Sequence, residues 1–96
     1  MEKKEAYVQK LKAKMDEWSA QIDELKAKAG QAEADAQIAY KEKIEDLRKK
    51  QKEAEARLKE LQTAGKGAWE DFKAGVEGAM EKLGEAVRSA SARFKR

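Results

Sequence analysis

Apolar or small side chains return in alternating steps of three and four from Val8 to Leu61. They pass through Leu11, Met15, Trp18, Ile22, Leu25, Ala29, Ala32, Ala36, Tyr40, Ile44, Leu47, Gln51, Ala54 and Leu58. That spacing keeps one stripe on one side of an α-helix and is the heptad seam of a coiled coil. One residue is in effect inserted between Ala36 and Tyr40, which shifts the stripe and locally relaxes a left-handed supercoil. Between Leu25 and Ile38 every apolar residue is Ala, so packing there is close but individually weak. A bend, a hinge or a partner's large side chain is expected at that point.

The rest of the composition narrows the chemistry. Charged residues are 43% of the 96 and hydrophobic residues 41%, many of the latter Ala, which leaves few large side chains for a globular core. Dominance by Ala, Glu, Lys, Leu and Arg is the composition of long helices. The chain has no Pro, His or Cys, so disulfides, thiolate chemistry, imidazole bases and the commonest zinc ligands are excluded. Ser19, Thr63, Ser89 and Ser91 therefore have no His to activate them. The acidic pairs Asp16-Glu17 and Asp23-Glu24 lack the His ligands that carboxylate bundles add around a metal. No catalytic residue, cofactor, metal ligand or small-molecule substrate is expected, and the chain is read as a non-enzyme.

A net charge of +3 is small and well mixed. Met1 to Met15 is rich in Lys, Asp16 to Leu25 carries acids without a base, and residues 48–52 read RKKQK. Such runs are ordinarily solvated helix faces. The acids Glu42, Glu45, Asp46, Glu53, Glu55 and Glu60 surround RKKQK and repel phosphate, so nucleic acid is not an expected partner. There is no apolar run long enough for a membrane span, and MEKKEAYVQK lacks the apolar segment of a secretory signal. A cytoplasmic protein is expected.

Gly30 poses the main question of architecture. Gly often follows a helix C-terminus, and a turn here would give a three-helix bundle. Yet no Ser, Thr, Asn or Pro stands nearby to cap a new helix, and the seam passes Gly30 without interruption. The favoured reading is one heptad helix over 3–62, about 90 Å long at 1.5 Å per residue. Thr63-Ala64-Gly65-Lys66-Gly67 then forms a glycine turn. Beyond it, residues 67–77 repeat in 78–88: Gly67 aligns with Gly78, Glu70 with Glu81, Val76 with Val87, Trp69 with Met80 and Phe72 with Leu83. An eleven-residue period is three turns, so Trp69, Phe72, Val76, Met80, Leu83, Val87 and Phe94 line one face of an amphipathic helix over 68–93.

The expected fold is all-α, a single domain in which the C-terminal helix folds back on the second half of the long helix as an antiparallel coiled coil. That arrangement leaves Val8, Leu11, Met15, Trp18, Ile22 and Leu25 as an exposed interaction stripe. A homodimer or a partner helix would cover it. On the C-terminal helix, acids centred on the polar side and Lys73, Lys82 and Arg93 at its margins suit a lipid surface, which is the alternative partner.

The segments Glu5-Ala6-Tyr7, Asp16-Glu17-Trp18 and Ala68-Trp69-Glu70-Asp71-Phe72-Lys73 carry a likeness. Through them the chain resembles the small bacterial and cyanobacterial helical coiled-coil proteins, some grouped as stress-response proteins. The resemblance implies an accessory protein linked to stress that acts by self-association or by docking on a partner helix. A looser likeness, resting on the eleven-residue repeat and the marginal Lys, is to apolipoprotein-type lipid-surface helices.

Overall fold

The computed structural model describes residues 3–94. The fold is all-α: α1 (Lys3–Gly30), α2 (Ala34–Thr63) and α3 (Trp69–Arg93), with no strand among the described residues. The continuous helix expected over 3–62 is interrupted, because α1 ends at Gly30 and α2 starts at Ala34. Backbone bonds close α1 into a tight turn, Gln31 N–H to the Lys28 carbonyl at 3.1 Å and Ala32 N–H to the Ala29 carbonyl at 3.2 Å. Glu33 then takes an extended conformation and α2 begins without a side-chain cap. The Gln37 amide, donating to the Ala32 carbonyl at 2.9 Å, satisfies the loop from inside the new helix. Gly30 does not adopt a positive φ, so it acts here through low helix propensity and not through a left-handed turn.

The second break falls where the glycine cluster indicates. Ala64 is extended, and the Ala68 and Trp69 amides both donate to the Gly65 carbonyl at 3.1 Å to start α3.

Contacts set the directions. Asp23 of α1 pairs with Arg48 of α2, and Tyr40 of α2 stacks on Phe94. Tyr7 and Trp18 of α1 meet Glu77 and Gly84 of α3 in the same order along both helices. Thus α1 and α3 run parallel, with α2 antiparallel to both, in a body measuring 51 × 21 × 17 Å.

Folding back at Gly30 changes what covers the first stripe. Val8, Met15, Ile22 and Leu25 are buried within their own chain, and Leu11 and Trp18 are half-buried against the same core. The exposed stripe expected on the first helix is therefore sealed, because α2 and α3 supply the apolar faces that a separate chain was expected to bring. Ile22, Leu47, Leu61, Val76, Leu83 and Val87 form the fully buried centre. Burying apolar area of this kind contributes roughly 25 cal/mol per Å2 removed from water. Small residues, Ala54 and Ala90 with Gly84, let the helices approach closely enough for few large side chains to fill the interior.

Candidate interaction surface

Both faces singled out in the sequence turn inward. On α3, Val76, Met80, Leu83 and Val87 are buried, while Trp69, Phe72 and Phe94 are half-buried at the edges of the core. The closest approach recorded between the stripe of α1 and this face is at Trp18: the edge of its ring lies over Gly84, where an added Cβ would stand 2.7 Å from the ring. The eleven-residue period thus reports packing between helices of one chain.

Among the described residues one buried polar side chain enters the core. Gln51 occupies a seam position and is 8% exposed. Its Oε1 accepts from Arg48 Nη1 at 2.8 Å, and Arg48 Nη2 donates across to Asp23 Oδ1 on α1. An amide at a seam position is costly unless satisfied, so this relay fixes the register of α1 against α2. Among the described residues no buried side-chain nitrogen or oxygen lacks a partner.

Aromatic and cationic groups gather where α1 and α3 begin. Tyr7 packs edge-on to Trp69 at 6.2 Å and its hydroxyl donates to Glu77 Oε2 at 2.7 Å. The ammonium groups of Lys4 and Lys73 lie 5.0 and 5.1 Å from the Trp69 and Tyr7 ring centres. Partial burial, and then the bond to the Glu77 carboxylate, hold the Tyr7 phenol well above its ordinary pKa, since both disfavour phenolate. Beside this cluster is an open groove of about 540 Å3 with Val8, Leu61 and Trp69 on its floor and Lys4, Glu5 and Gln62 on its rim. At the opposite end Tyr40 and Phe94 stack at 4.0 Å, with the Arg93 guanidinium 5.5 Å from the Phe94 ring. On α2 the Lys50 ammonium donates to both Asp46 oxygens at 2.8 Å, which lowers the Asp46 pKa.

The outward surface carries a pattern of its own, apart from the apolar stripes. Opposite the core, α1 exposes Ala6, Ala13, Ala20 and Ala27, each seven residues from the next. Alongside runs a second exposed row with the same spacing, Lys3, Lys10, Glu17 and Glu24. The signal was legible as a heptad of small residues, but it is faint because Ala is abundant throughout. Ile38 is the exposed large hydrophobic residue among those described, at 61%. No cluster of three potential ligands that could hold a metal occurs among the described residues, and no helix is long and apolar enough to cross a membrane. No protein-family model, curated protein or solved structure matches the chain.

Proposed function

We propose that this chain is a non-enzymatic helical interaction protein, folded as a three-helix bundle, that self-associates or docks on a partner helix through its outer faces. The apolar stripes close on one another, so the reading is carried by the outer face of α1, where Ala6, Ala13, Ala20 and Ala27 recur every seven residues beside exposed Lys and Glu. With the stripes sealed, what the molecule offers is helix surface and open grooves rimmed by charge, such as that of about 550 Å3 between α1 and α3 bordered by Glu24, Leu25, Lys28 and Ser91. General acid-base or nucleophilic chemistry calls for an activated group in a cleft, and Tyr7, the group shifted furthest, is held in its neutral form by its partners. A role as a stress-linked accessory rests on the family resemblance alone. Sedimentation across a wide concentration range tests the reading: a mass rising from 10.8 kDa supports self-association, and an unchanging 10.8 kDa particle removes it.

A second reading is docking on a lipid surface. It is favoured by the half-buried Trp69 and Phe72 on the first half of α3, flanked by Lys4 and Lys73. Aromatic rings bordered by amines suit the headgroup boundary. In a Trp18→Phe background, a blue shift of Trp69 fluorescence on anionic vesicles supports it. An emission spectrum unaltered by vesicles eliminates it.

A further inference from the structure

The outer face of α1 has a charge order that is complementary to itself. Lys3, Lys10, Glu17 and Glu24 are all exposed and fall on one flank of the Ala6, Ala13, Ala20 and Ala27 row. When two identical helices pair antiparallel, a given flank meets its own copy, and residues placed symmetrically about the two-fold axis face each other. Lys3 and Glu24 share one midpoint with Lys10 and Glu17, the peptide between Ala13 and Lys14. Antiparallel pairing about that midpoint sets every Lys of the row opposite a Glu, four contacts by symmetry. Parallel pairing would instead bring the Lys-rich halves together, and like charges at close range repel.

The alanine row makes room for those contacts. A small residue every seventh position, on the side directly away from the core, lets two backbones come close without displacing any buried side chain. The rows drift by about 20° per heptad on a straight helix, which a slight left-handed coiling of the pair removes over the 28 residues of α1. Within its own chain Glu17 has an ion pair with Lys14 at 3.8 Å, an exposed contact that competes weakly.

We propose that this face is a self-pairing surface: a second copy of the chain docks on it antiparallel, Lys3 against Glu24 and Lys10 against Glu17. The proposal rests on the interaction reading above and names the face and direction it uses. One helix face per protomer lies at the small end of specific interfaces, so the dimer is weak and concentration-dependent.

Charge reversal on the full chain tests it. The variants are Lys3→Glu with Lys10→Glu, and Glu17→Lys with Glu24→Lys, each checked by circular dichroism for an unchanged melting curve. Sedimentation equilibrium should show wild type dimerising, each variant alone weakened at least about tenfold, and an equimolar mixture of the two regaining wild-type affinity. Ala13→Cys, in a chain that otherwise has no Cys, should form a disulfide-linked dimer under mild oxidation, because the two copies of position 13 lie at the axis. Dimers of unchanged strength in both variants would place the contact elsewhere while leaving self-association intact. Wild type remaining monomeric up to about 1 mM, a standard free energy weaker than about −4 kcal/mol, would overturn both the face and the self-association it rests on.

Discussion

Gly84 and the pair Gly75 and Gly78 lie on the same helix within three turns, yet their surroundings have nothing in common. A Cβ at Gly84 would press into the Trp18 ring, whereas Cβ atoms at Gly75 and Gly78 would meet nothing within 4 Å. The contrast extends to their neighbours. Around Gly84, Leu83 and Val87 are sealed and Ala90 is fully covered, while around the first pair Trp69 and Phe72 stay half-buried and Val76 alone is fully inside. One half of α3 is seated by steric fit, and the other is held by contacts at its edges. A residue's identity therefore says little about why it is there until the space around it is known.

Removing the seat should have the largest effect. Leu83→Ala is expected to lose about 2–5 kcal/mol in urea unfolding, against a smaller loss, about 1–2 kcal/mol, for Phe72→Ala at its half-buried position. Equal losses would erase the gradient along α3. Gly84→Ala is expected to destabilise by about 1–2 kcal/mol net, as overpacking against Trp18 outweighs the better helix propensity of Ala. A double-mutant cycle with Trp18→Phe should show coupling between the two positions, and additivity would mean that the ring moves aside freely.

The first half gives the opposite sign. Gly75→Ala and Gly78→Ala should each stabilise by up to about 1 kcal/mol, read as a higher urea midpoint at unchanged slope. A loss at either would mean that this half is packed against something after all. Tyr7→Phe should cost about 0.5–1.5 kcal/mol near neutrality by removing the bond to Glu77. The folded-state phenol titrates above the ordinary value of 10.0, so its contribution is complete below that pH and fades as the pH rises toward the folded-state value. An alkaline denaturation profile should therefore flatten above pH 10 in Tyr7→Phe. The smallest effect is on α2: Asp46→Asn should cost about 0.5 kcal/mol or less at neutral pH, because the pair with Lys50 is partly exposed. The lowered Asp46 pKa makes that contribution present above the ordinary carboxylate value of 3.8 and lost as the pH falls through the folded-state value.

Much of this molecule was legible in the order of its residues, but not the break that organises it. The seam from Val8 to Leu61 and the face from Trp69 to Phe94 name nearly every core residue, because burial in a helix follows its period whichever neighbour supplies the cover. The turn after Gly30 has no such marker. Glu33 caps nothing, no proline or positive φ is used, and Ala29, Ala32 and Ala36 continue the rhythm because Ala fits a helix, a turn or a core equally well. The side chains that cover the first stripe lie in the same chain, on α2 and α3, and the rhythm by itself does not distinguish them from those of a second chain. Asp23, Arg48 and Gln51 could not be joined from the sequence, since the link depends on α2 folding back on α1. The alanine and charge rows of α1 were visible as spacing, but only the closed core shows that they face away from it.

Because α1 and α3 point the same way, Lys3 and Arg93 sit at opposite poles of a body 51 Å long. Anything joined to those two points is held apart by one helix length, as by a strut. Tension applied there would load the inter-helix seams lengthwise, sliding Trp18 out of its notch at Gly84 while the Asp23–Arg48 tie bears the shear.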